Sequence, residues 1–178
     1  SPEETIERIH SQGGVAVAPH PFSSRCRCLG PAVSGLKLDG IEVLNSMHID
    51  GYSNAYAKHH FTGSDLAKMG GSDAHHHAMV GNAYTTFEGT TGEDLRKAIM
   101  KGATDFGGAQ TPLREIVWMI STLTAHVDCA LGRSLVGMDS DDDAEWLQAI
   151  RGMKLSTRAA AFVWGTAFLA PPFQILAG

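Results

Sequence analysis

The sequence predicts an α/β fold followed by a helical appendage, on three observations. Three short apolar runs each lead into polar side chains able to bind a cation: Val15–Ala18 before His20, Ile41–Leu44 with Glu42 and Asn45, and the run that ends in Gly71-Ser72-Asp73-Ala74-His75. Helical periodicity precedes the first run and separates the second from the third. After Thr111-Pro112 the spacing is helical throughout, and no strand-like alternation recurs after Phe106. Polar groups gathered at the C-terminal ends of successive strands are how a β/α barrel assembles an active site.

Ser1 suits an N-cap, Pro2 the first helical position, and Glu4 completes a Ser-x-x-Glu capping box. Ile6 and Ile9 recur at helical spacing before Gly13 and Gly14 stop the helix. The β-leaning run that follows delivers His20 between Pro19 and Pro21. Proline fixes its own φ and restricts the residue before it, so His20 is expected in a rigid turn and is a candidate metal ligand. Arg25-Cys26-Arg27-Cys28 follows, a loop over the site from which Arg25 or Arg27 could grip a phosphate.

The second run, Gly40–Asn45, carries Glu42 and Asn45 as residues lining the site, and His48 can approach from the loop beyond it. A helix begins near Asp50 and ends at His59 and His60, cations that the C-terminal end of a helix dipole favours. On an extended backbone Asp73 and His75 would share one face and offer a carboxylate and an imidazole to the same ion. Their neighbours His76 and His77 would point away from His75.

Gly81–Phe87 is aromatic and β-branched enough for a strand. Thr91 and Asp94 cap a helix whose inner face is Leu95, Ala98 and Ile99, and together these elements are expected to close the barrel. Gly102, Gly107 and Gly108 mark a loop. From Pro112 to Leu131, the residues Leu113, Ile116, Val117, Ile120, Leu123, Val127 and Leu131 define a long amphipathic helix ended by Gly132, with His126 as a half-buried packing residue.

The acidic run Asp139–Asp143 fails as a calcium loop, because the sixth position is Ala144 and the twelfth Ile150, and it suits instead the start of a helix over 144–150. Residues 159–178 hold no charge, but Pro171-Pro172 and Gln174 interrupt them. That leaves two readings, a membrane-associated tail or a helical packing appendage, with Arg151, Lys154 and Arg158 placed to favour a negatively charged membrane face.

The order of helix, GGVAVAPHPF, DGIEVLNS, helix and GSDAHHHAMVGNAYTTF resembles the C-terminal half of the PHP domain, the polymerase and histidinol phosphatase family of metal-dependent phosphoesterases. The resemblance runs from about Ser1 to about Phe106 and implies a partial, distorted β/α barrel over 1–108, with residues 112–178 as a helical C-terminal region. It implies His20, Asp73 and His75 as metal ligands, Glu42 and Asn45 as residues lining the site, and a centre of two or three divalent ions in the complete domain. The family's first motif, a His-x-His, has no counterpart here, nor do the later His and Glu that bridge the metals. The chain is therefore expected to be a partial sequence lacking the N-terminal metal motif, and by itself inactive.

A net charge of -5 argues against a broad basic surface for nucleic acid and leaves a small phosphorylated substrate, a nucleotide among them. Three cysteines without a Cys-x-x-Cys pair fit a reducing cytoplasm. No Gly-x-Ser-x-Gly elbow or Walker loop offers a competing nucleophile or phosphate cradle. The mixed N and O ligands suit Zn, Mn or Fe. The expected activity is hydrolysis of a phosphate ester by metal-activated water. The alternative is a non-catalytic, degenerate PHP-like scaffold tethered to a membrane by its tail.

Overall fold

Ser1 caps the first helix, α1 (Pro2–Ser11), through a complete capping box with Glu4, in a computed structural model that describes residues 1–138 and 145–169. The helix buries Ile6 and ends at Gln12, after which Gly13 turns the chain at φ 74°. Three strands follow: β1 (Val17–Ala18), β2 (Gly40–Asn45) and β3 (Ala67–Gly71). They pair in parallel in the order β1-β2-β3. The helix α2 (Tyr52–His60) makes the crossover between β2 and β3. This βαβ arrangement buries β2 along nearly its whole length, which is why Ile41, Val43 and Leu44 run almost without alternation.

The core lies under this sheet. Ala18, Val33, Ile41, Val43, Ala57 and Phe61 form it, and Phe22, Leu29, Leu38, Leu66 and Phe106 pack against it. Ile41 and Val43 are fully buried, each worth about 1.5–3 kcal/mol relative to exposure. The register of β2 on β3 slips between Glu42 and Leu44, a bulge beside the polar strand ends. Such bulges re-aim a side chain without breaking the sheet.

The described strands do not close into a barrel. After β3 the chain forms β4 (Ala83–Phe87), α3 (Gly92–Met100) and β5 (Thr104–Gly108), and β4 and β5 pair antiparallel as a separate ribbon. The helix begins at the expected Thr91/Asp94 box and buries Ala98 and Ile99. The segment read as a glycine loop is therefore a strand. Its glycines are required by close approach rather than by a turn: a Cβ at Gly107 would meet the Tyr84 ring, and one at Gly108, at φ 101°, would meet the Asn82 carbonyl.

The chain divides into two compact units, Ser1–Thr111 and a second that begins at Pro112. The second contains α4 (Leu113–Leu135), α5 (Glu145–Gly152) and α6 (Leu155–Leu169). Gly132 does not end α4. Phe162 of α6 packs over it, 3.2 Å from where a Cβ would stand, so the small residue serves helix contact and the helix stops at Val136-Gly137. Contacts of Arg158 with Ser134, Phe162 with Gly132 and Thr166 with Asp128 run in opposite directions along the two helices, so α6 packs antiparallel on the C-terminal half of α4.

The buried face of α4 is Ile116, Met119, Asp128, Leu131 and Ser134. Of the residues expected there, Leu113, Ile120, Leu123 and Val127 are exposed, and so is His126, expected to be half-buried. Beside the contact of Phe162 with Gly132, the helix pair is joined by hydrogen bonds from Arg158 to Ser134 and from Thr166 to Asp128. No described helix is long and apolar enough to cross a membrane. The acidic run at 139–143 and the tail beyond residue 169 lie outside the described residues.

Candidate functional site

The ends of β1, β2 and β3 bring four polar side chains together around Asn45. Asn45 is buried, and its orientation is fixed because its Oδ1 accepts the Met47 amide at 2.9 Å. Its Nδ2 therefore carries two hydrogens outward, one to Glu42 Oε2 at 3.1 Å and one to Asp73 Oδ2 at 3.1 Å. The same Glu42 oxygen accepts the backbone N–H of His20 at 2.6 Å. Two carboxylates thus share one neutral donor beside the His20 turn.

The carboxyl of Glu42 is pushed above the usual range, chiefly by burial and in small part by the charge on Asp73, against the lowering hydrogen bonds from Asn45 and His20. Glycine at 71 makes room for it, because a Cβ there would run into Glu42 Oε1.

Among the described non-glycine residues, only His20 and Asp73 have positive φ, at 28° and 48°. Such backbone costs about 1–3 kcal/mol and persists where the surroundings impose it, typically at functional sites. At His20 the flanking prolines were expected to give a rigid turn, and the turn is left-handed rather than extended. At Asp73 the same-face argument does not hold. The strand ends at Gly71, and Asp73 and His75 sit in the turn beyond it.

His75 Nδ1 lies 2.7 Å from the Asp73 carbonyl oxygen. A carbonyl can only accept, so Nδ1 carries the hydrogen and Nε2 keeps its lone pair, the tautomer that metal-binding histidines adopt. Both Asp73 and His75 face solvent.

Over His20 lies the loop 22–28. Ser23 Oγ receives the amides of Arg25 and Cys26, and Cys26 Sγ stands 3.6 Å from His20 Nδ1. Arg25 and Arg27 are exposed on this loop. Ser24 ties it to α2 by donating to Asp50 Oδ2 at 2.7 Å. Asp50 Oδ1 also caps α2 by accepting the amides of Tyr52 and Ser53, and these bonds, that from Ser53 foremost, hold its carboxyl well below the usual carboxylate range.

The donor chemistry, imidazoles at His20 and His75 with carboxylates at Asp73 and Glu42, suits a divalent transition metal. Yet among the described residues no group of three or more His, Cys, Asp or Glu side chains is disposed to hold an ion. His20, Glu42, Asn45 and Asp73 are brought together, and His75 adjoins them through its bond to the Asp73 carbonyl.

From the sequence, His48 is expected only to approach the site from the loop beyond the second run. His48 is buried, its ring centre is 6.5 Å from that of His20, and its Nδ1 is 3.0 Å from Asn54 Oδ1. The signal was present in the Asn at the N-terminal turn of α2, a type favoured at caps and turns but neutral to unfavourable inside a helix. By contrast, His60 is occupied by Ser34 Oγ at 2.8 Å, and His76 accepts the Ala78 amide through Nδ1.

Comparison with known proteins gives the site its context. Residues 51–104 match the profile of the family described as PHP-associated. An uncharacterized protein of Methanocaldococcus jannaschii, MJ1587, is 56% identical over 57 residues, covering 32% of this chain and 33% of that protein. A second from the same organism, MJ1588, is 32% identical over 100 residues, covering 56% of this chain and 84% of that protein. The chain thus spans about a third of the first relative and most of the second. No solved structure matches it significantly.

Proposed function

This chain belongs to the PHP family, as its C-terminal, PHP-associated region, and from that premise we propose that it supplies part of the active centre of a metal-dependent phosphoesterase. One observation carries the reading: His20 and Asp73, the only described non-glycine residues with left-handed backbone, meet at one group of strand ends with Glu42 and Asn45. Strain held at two candidate ligands and at no other described non-glycine residue is the mark of a preorganised site.

His20, Asp73 and His75 would hold the ion, Zn, Mn or Fe, and a complete domain of this family would hold two or three of them. The ion when bound polarises a phosphoryl group and lowers the pKa of a bound water. The chain's own residues set the stage for that chemistry. Asn45 holds the Asp73 carboxylate by its amide, and Glu42 fixes His20 by receiving its N–H. Arg25, exposed on the loop over His20, would grip a substrate phosphate as a planar donor.

The parallel sheet β1-β2-β3 would be one part of a distorted PHP-type barrel. The substrate would be small and phosphorylated, with a nucleotide among the class, and the compartment the cytoplasm. The exposed apolar residues of α6 suit contact with a membrane surface.

A second reading, the degenerate scaffold, is favoured by the lack of a three-ligand group among the described residues. Titrating the metal-stripped full chain with Zn2+ and Mn2+ by calorimetry, beside His20→Ala and Asp73→Ala, separates the two. Saturable binding that either substitution weakens by about tenfold or more supports the metal centre. Binding that neither changes leaves the scaffold. Phosphoesterase activity of the metal-loaded full chain is then sought with bis(p-nitrophenyl) phosphate.

A further inference from the structure

One side of α2 carries a ladder of rings that meets the loop over the site. Tyr52, Tyr56 and His60 recur every four residues, so they stand one above another on one helix face. Tyr52 stacks on Tyr56, with ring centres 5.3 Å apart and planes 21° from parallel, and Tyr56 lies tilted on His60 at 5.7 Å. The inner rings serve packing. Tyr56 is half-buried and meets Phe22 of the loop in a T-shaped contact at 4.6 Å, and His60 is tied to Ser34. Tyr52 is instead 63% exposed, and its one ring contact among the described residues is the stacked one with Tyr56. A tyrosine held flat by a neighbour and otherwise open to water is a platform on which a further flat ring can stack, as nucleic-acid bases do on aromatic side chains.

What stands beside that ring decides the occupant. Ser24 donates to Asp50 Oδ2 at 2.7 Å, and Asp50 Oδ1 accepts the Tyr52 amide at 3.1 Å, so loop and ladder meet at one aspartate. Arg25, next to Ser24, is exposed and has no ion-pair partner among the described residues. The Asp50 oxygens are engaged by Ser24, Tyr52 and Ser53 and make no ion pair with it. A stacking ring beside an unpaired planar cation matches a base and a phosphate. One open ring takes one base, and a net charge of -5 provides no basic track for a longer strand.

We propose that Tyr52 and Arg25 form a mononucleotide subsite, Tyr52 stacking the base and Arg25 binding the phosphate. The inference deepens the substrate reading above and rests on its phosphate grip at Arg25, not on a bound metal. The same loop reaches His20 through Cys26, whose Sγ is 3.6 Å from His20 Nδ1, so the phosphate end of the subsite adjoins the strand ends.

The test titrates the full chain, in chelator, with adenosine monophosphate and with ribose phosphate, which keeps the phosphate and lacks the base, and follows binding by NMR. Adenosine monophosphate should bind roughly fivefold or more tightly than ribose phosphate. The variant Tyr52→Phe should keep that preference, whereas Tyr52→Leu should abolish it and leave ribose phosphate binding unchanged. Arg25→Gln should weaken both ligands. Ribose phosphate bound as tightly as the nucleotide, or a preference that survives Tyr52→Leu, overturns the base platform and leaves the phosphate grip standing. If Arg25→Gln changes neither ligand, or neither ligand binds, the phosphate grip fails and this inference with it.

Discussion

Glu42 shows at the scale of one residue how the site sets function against stability. Burial raises its carboxyl, so its ionised form is disfavoured in the folded state. A raised carboxyl lends stability that is full below the ordinary glutamate range and lost as the pH rises through the raised value. The isosteric Glu42→Gln can still accept from His20 and Asn45 but cannot ionise. In chelator it should be at least as stable as the parent at neutral pH and should flatten the rise in stability on acidification, while binding Zn2+ more weakly. Thermal melts from acid to neutral pH decide this, and a variant destabilised at every pH would make Glu42 a purely structural acid. Gly71→Ala should do the reverse, forcing the Glu42 carboxylate aside at a cost of about 1–3 kcal/mol. His20, Glu42, Asn45 and Asp73 could be singled out from the sequence because each lies in or just after a short apolar run, and the structure brings these four together. Their conformation was not legible there. The positive φ of Asp73 accompanies a hydrogen bond from Asn45, twenty-eight residues away, a contact that no local pattern encodes.

At the scale of elements, the strand ends are tied together by a directed chain of hydroxyls and amides. Asn82 Nδ2 donates to Thr111 Oγ1, which must then donate to Ser46 Oγ, which donates to the Ser72 carbonyl just ahead of Asp73. Ser46 and Thr111 are buried, and bonds in such a chain polarise one another. Ser46→Ala and Thr111→Val should each cost about 1–3 kcal/mol in urea unfolding, and the double variant less than their sum because both break the same chain. Additive losses would show the two hydroxyls to be independent. The elements that local pattern misread share one cause. The strand β5 hides behind Gly107 and Gly108, which serve the close approach of β4. The helix α4 runs through Gly132, which serves the approach of Phe162. In both places glycine answers a tertiary neighbour, whereas the caps at Ser1 and Thr91 answer only their own helix and were read correctly.

At the scale of the whole molecule, the family match lies within the first unit, and the second carries surface that its own packing does not use. The helix α6 has no buried residue. It meets α4 through Phe162, Gly165 and Thr166, while Val163 and Trp164, 64% and 75% exposed, stand outside that contact. Arg158, expected to face an acidic membrane, instead donates to the Ser134 carbonyl and hydroxyl on α4. Any attraction to a bilayer must therefore come from the apolar positions more than from that charge. This separates two roles that deleting the helix would confound, because removing α6 would also uncover Gly132 and strip Asp128 of the Thr166 hydroxyl. The double substitution Val163→Glu/Trp164→Glu leaves the contact with α4 in place and removes only the outward apolar surface. If α6 lies on a membrane surface, the parent chain co-sediments with vesicles rich in phosphatidylserine and the double variant stays in the supernatant with an unchanged helical circular dichroism spectrum. If both stay in the supernatant, the exposed side chains of α6 do not serve a bilayer, and the membrane reading of the C-terminal region is lost.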